Sequence, residues 1–166
     1  MGIFVMNLID RKQITLDIYF QLLQKLYIRL QLEEDINDET EGTEHEFFIN
    51  LAERLSIYTD ILKTLSLSIH NTLNSIFLTV LDQPRQNENG STSFGHTIFD
   101  LLWSKLPEMI TMEEDARIYE ASLSKLYTIA RNEEKEETNL FRCWCAFWST
   151  IGVRFPQVAD NHVETL

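Results

Sequence analysis

Thirty-five consecutive residues, Phe47 to Leu81, contain neither glycine nor proline, and the whole chain of 166 residues holds only 5 Gly and 3 Pro. Sandwiches and barrels need turn formers at short, regular intervals, so a chain this poor in them has few ways to fold other than as helices. Within the run, Leu51, Leu55, Tyr58 and Leu62 form one apolar stripe, and Leu65, Ile69, Leu73, Ile76, Phe77 and Val80 continue it. Steps of three and four are the helical period. An ordinary globular helix is much shorter than this run, so it predicts two or three helices. Ser66-Leu67-Ser68 and Asn71-Thr72 are the candidate bends.

The same period marks Leu16 to Leu30, with Asp10 as a candidate cap for an earlier start. Between 33 and 46 the composition changes abruptly. Eight acids stand there without one Lys or Arg, and without those eight the net charge of −12 falls to −4. Like charges at that density repel, so the segment is expected to be a solvated loop. A second polar loop is predicted over 82–93, where turn formers cluster. Phe94 to Leu106 is apolar nearly all round and reads as a central buried helix, with Pro107 expected to end or kink it. Glu113 to Ala130 is amphipathic, Asn132 to Thr138 is a charged break, and Leu140 to Phe155 is a short helix loaded with Phe and Trp. The expectation is a single all-α domain over 1–166, with six to eight helices around one central hydrophobic helix.

A hydrophobic content of 44% with 11% aromatic residues is enough for a core and excludes wholesale disorder. A net charge of −12, without a basic cluster, would repel a phosphate backbone, so nucleic acid is not an expected partner. No stretch has the roughly 18 apolar residues that span a bilayer. Neither a leader nor a carboxyl-terminal anchor is recognisable, and cytoplasmic placement is expected. Cys143 and Cys145, the two cysteines, lack nearby His partners, which predicts two reduced thiols or a chain-to-chain disulfide and no metal site. His45, His70, His96 and His162 are scattered, and no hydrolase, P-loop or dinucleotide motif occurs. Neither catalysis nor a cofactor is expected.

Two patterns are more informative. The first is Leu51, Leu55, Tyr58 and Leu62 on one helix face with Asp60 between the last two. The second is Ser93-Phe94-Gly95-His96, opening the most apolar helix. A glycine there lets a neighbouring backbone come close. In this order, on a helical chain of this size, they resemble the Bcl-2 family of apoptosis regulators. The first is similar to the family's third homology motif and the second to its first, usually Asn-Trp-Gly-Arg. Trp148 to Gly152 stands where the second motif would be, without its Gly-Trp pair. Thr59 replaces the third motif's glycine, only Gly95 of the first motif is kept, and 82–93 is long for that link. This degree of divergence, with no anchor, resembles the virus-encoded members.

The resemblance implies a groove between the helices of about 47–106 that sequesters the amphipathic helix of a pro-death protein such as Bim, which inhibits apoptosis in the cytoplasm or, through partners, at mitochondria. Leu62, Leu65, Ile69, Leu73, Phe77, Val80, Leu81, Phe94, Gly95 and His96 are the residues it would place along that groove. His96 stands at the family's arginine, so a ligand carboxylate would pair with a group of ordinary pKa ~6.5, and binding would tighten near pH 6. An open groove is an exposed apolar patch, and a homodimer through it or through Phe141–Phe155 is expected. The alternative is a Bcl-2-like protein with a closed groove whose outer face inhibits an immune-signalling adaptor.

Overall fold

A computed structural model describes residues 15–31, 39–62, 65–86, 90–132 and 139–158. Among the described residues there are seven helices: α1 Leu16–Gln31, α2 Glu39–Leu62, α3 Leu67–Leu81, α4 Phe94–Met109, α5 Glu113–Ile118, α6 Glu120–Asn132 and α7 Asn139–Arg154. No strand occurs among the described residues; the sole extended pairing is an isolated bridge between Gln86 and Thr92. The all-α expectation holds. The expected Asp10 cap and most of the charged break at 132–138 lie outside the described residues.

Local chemistry explains where the helices begin. Thr15 precedes α1, and its Oγ1 accepts from the Ile18 N–H at 3.3 Å. Ser66 caps α3 by accepting from Ile69 N–H at 3.4 Å, and Ser93 caps α4 by accepting from His96 N–H at 3.3 Å. Each hydroxyl satisfies one of the N–H groups that the first helical turn leaves without a partner. The long glycine-free run therefore breaks once, before Ser66. Asn71-Thr72 is not a bend; both lie inside α3, where Thr72 Oγ1 donates to Ser68 O at 2.9 Å.

Two expectations are corrected. Residues 39–46, read as part of an acidic loop, belong to the start of α2. The positive end of a helix dipole favours acidic residues in the first turn, so an acid-rich stretch is compatible with a helix start. The bundle also has two central helices instead of one. α3 packs on α1, α4, α5 and α6, while α4 packs on α2, α3 and α7. α3 can be surrounded because its fifteen residues include no Asp, Glu, Lys or Arg, whereas α4 carries Asp100, Lys105 and Glu108. Pro107 neither ends nor breaks α4 at once: the helix runs on to Met109, and Arg154 Nη1 donates to Pro107 O at 2.9 Å.

The core runs through both central helices as a chain of rings. Phe77 meets Phe99 edge-on at 5.4 Å and Trp103 at 5.0 Å; Phe99 stacks on Trp103 at 5.2 Å, and Trp103 reaches Phe147 of α7 at 5.7 Å. Offset and edge-to-face ring pairs add to simple burial. Trp103 also donates its indole N–H to Cys143 O at 3.0 Å, which fixes α7 against α4.

Candidate functional site

The residues expected to line a groove are core residues. Leu65, Ile69, Leu73, Phe77, Val80 and Leu81 are all buried, each at most 5% exposed. Ile69, Leu73, Phe77 and Val80 recur at i, i+4, i+8 and i+11 and so share the face of α3 that meets its neighbours. The side chain of Leu62 lies outside the described residues. α2 packs along α4, with Leu51, Ala52, Leu55 and Tyr58 buried, so the helix carrying the first pattern covers the surface that would have stayed open.

Ser93-Phe94-Gly95-His96 is likewise engaged within the chain. A Cβ at Gly95 would stand 2.5 Å from Gln83 Oε1, and Gln83 in turn donates from Nε2 to Leu30 O at 3.0 Å. The close approach that the glycine permits is thus to the chain's own α3–α4 connection. Phe94 is half-buried, stacked on the His45 ring at 4.0 Å, with the Arg29 guanidinium 5.3 Å from its centre.

His96 is 1% exposed and faces inward, contrary to the expectation that it meets a ligand. Its Nε2 lies 3.0 Å from Gln83 O and its Nδ1 3.4 Å from Arg85 Nη1. Gln83 O and the guanidinium together assign the tautomer: Nε2–H donates to the carbonyl, and Nδ1 accepts from Arg85. Burial lowers the pKa of His96; the carbonyl and Asp100 oppose this, and the Arg85 charge adds to it. A neutral imidazole beside an arginine does not present a charge to a partner. The cation here is the partly buried Arg85, which reaches Asp100 with both terminal guanidinium nitrogens, at 3.3 and 2.9 Å. Ser93 N–H donates to Arg85 O at 2.7 Å, which closes the polar loop beneath that pair.

An open cleft does exist, between α4 and α7. Asp100, Trp103, Ser104 and Pro107 line it from α4; Arg142, Cys143, Ala146 and Phe147 line it from α7; its volume is about 320 Å³. Sequence reasoning did not place a site there. The signal was present on α4 as the i, i+3, i+4, i+7 spacing of one helix face, but the opposing wall comes from a distant helix. Cys143 is half-buried, and burial pushes its thiol up to about 11, so it is an inert wall residue; Cys145 is exposed, and both thiols are free.

A second polar cluster is largely buried. His70 of α3 is fully buried, with Nδ1 2.7 Å from Tyr119 Oη and Nε2 3.6 Å from Asp115 Oδ2. It joins α3 to the break between α5 and α6. Among the described residues, no group of three or more His, Cys, Asp or Glu is arranged to hold a metal ion, and no helix is long and apolar enough to cross a membrane.

No protein-family model matches the chain, and neither a curated protein nor a solved structure gives a significant match.

Proposed function

We propose that this chain is a non-catalytic interaction protein of the Bcl-2 kind that works through an outer face, its expected groove being closed. One observation carries the reading: Leu65, Ile69, Leu73, Phe77, Val80 and Leu81 are all buried, and α2 lies against α4. A partner helix cannot use apolar anchors that already form the core. The partner in this reading is an immune-signalling adaptor, met in the cytoplasm.

A second reading, inhibition of apoptosis by sequestering a pro-death helix such as that of Bim, is supported by the order of the two patterns along one all-helical chain. It requires α2 to leave α4, which exposes Leu51, Leu55 and Tyr58 to water at roughly 1.5–3 kcal/mol for each large apolar side chain. Mitochondria would then be reached through the captured partner.

Calorimetric titration with the pro-death helices of Bim, Bid, Bak and Bax separates the two. The closed-groove reading expects no sub-micromolar binding to any of them. Sub-micromolar binding to any of them overturns it in favour of helix capture.

A further inference from the structure

We infer that α5, with the turn joining it to α6, is an acid-released flap over the buried imidazole of His70. The inference concerns the scaffold itself and does not depend on which partner the outer face meets.

The flap is small and lightly anchored. α5 has six residues, of which Ala116 alone is buried, and it packs chiefly on α3 and α6. Tyr119, the residue that follows it, is fully buried and ties the segment down. Segments with few buried apolar contacts are the ones that open locally while the rest of a protein stays folded.

Both polar tethers of the flap end on His70. Its Nδ1 lies 2.7 Å from Tyr119 Oη, and its Nε2 faces Asp115 Oδ2 at 3.6 Å without a hydrogen bond. A proton on Nδ1 would turn the bare lone pair of Nε2 towards the Asp115 carboxylate. The neutral ring therefore carries its proton on Nε2, and Nδ1 accepts from the Tyr119 hydroxyl. Protonating Nδ1 removes that acceptor. The Tyr119 hydroxyl must then give up its role as donor, where both residues are 0% exposed and an unsatisfied hydrogen is costly.

Among the described residues, Asp115 is the one charge that offsets this cost. α3 itself has no Asp, Glu, Lys or Arg. On α5, Glu113 pairs with Arg117 at 2.9 Å and Glu114 is exposed. On α1, Tyr19 donates to Leu55 O at 3.1 Å, while Asp17 and Lys25 are exposed. On α4, Asp100 and His96 meet Arg85 at the far end of α3, and Lys105 pairs with Glu108. On α6, Lys125 pairs with Asp82, again at that far end, and Glu120 with Arg117 at 3.7 Å. Burial outweighs Asp115 and holds the imidazole below its ordinary pKa. Opening the flap returns His70 to water, where it takes up a proton more readily, so opening increases as pH falls below ~6.5.

The test is backbone hydrogen exchange on the whole protein at pH 7.5 and 5.5, with each rate divided by the intrinsic rate at that pH. Amides of residues 116–122 are expected to be less protected than those of 73–77 in α3 at both pH values. Their protection should fall at least threefold at pH 5.5. The fall should persist in His96→Gln and vanish in His70→Gln. If His70→Gln does not fold, imidazole nitrogen shifts of the wild-type protein decide, with the Nε2–H tautomer at pH 7.5 and a titration midpoint below 6.5 expected. Four results overturn the inference. They are protection of 116–122 equal to that of α3, protection unchanged or raised by acid, a fall that survives His70→Gln, and an Nδ1–H tautomer or a midpoint above 6.5.

Discussion

His70 and His96 are the two residues where chemistry and packing compete most directly. Both are buried, and burial lowers both pKa values below the ordinary 6.5; at His70 the neighbouring Asp115 opposes the shift. Above pH ~6.5 each is neutral in folded and unfolded chains alike, and neither makes stability depend on pH. Below it the unfolded chain takes up protons that the folded one does not, so stability falls as pH drops from 6.5 towards the folded values. Urea midpoints measured between pH 7.5 and 5.5 are expected to fall, with a shallower fall in His96→Gln, which keeps one donor for Gln83 O and one acceptor for Arg85. A midpoint that rises on acidification contradicts the neutral, inward-facing imidazoles.

At the scale of the helices, the caps are the points where a single hydroxyl determines a boundary. Ser66→Ala removes the acceptor for Ile69 N–H and should cost about 1 kcal/mol in a denaturant melt, while Ser66→Asp restores most of it. α1, the break before α3 and the start of α4 are legible because each rests on local signals, a 3.6-residue stripe and a hydroxyl at its head, and the last helix is legible from its stripe alone. Residues 39–46 were misjudged because charge repulsion is a coil argument, and a helix start reverses its sign. Two central helices were read as one because apolar residues were weighed more heavily than missing charges, although α3 has no charged residue at all. Ile69, Leu73, Phe77 and Val80 share one apolar face of α3, but periodicity cannot tell a groove wall from a core. The α4–α7 cleft was illegible for a different reason: Asp100, Trp103, Ser104 and Pro107 become a site only when Arg142, Ala146 and Phe147 arrive opposite them.

Across the whole molecule, a charge of −12 sets how copies of the chain meet one another. Phe141 and Val153 leave 47% and 78% of their surface exposed on α7, the segment through which self-association is expected, although they stand on different sides of the helix. We propose that repulsion between acidic copies opposes it at low salt and that screening relieves the repulsion, since the Debye length shrinks from about 30 Å at 0.01 M to about 8 Å at 0.15 M. Sedimentation at tens of micromolar protein should therefore show a mass that rises from monomer towards dimer as salt is raised. A monomer mass independent of both salt and concentration removes the homodimer.

All three tryptophans of the chain, Trp103, Trp144 and Trp148, belong to α4 and α7. Trp103 touches Phe147, Trp144 lies 5.1 Å from Tyr127 of α6, and Trp148 meets Phe147 edge-on. Intrinsic fluorescence excited at the indole band thus watches the α4–α7 corner, and senses α3 through the Phe77 ring 5.0 Å from Trp103. Far-ultraviolet dichroism averages over every helix. The two signals therefore trace different things during unfolding, and superimposable curves would mean that the α4–α7 corner and the α3 hub melt as a single cooperative unit.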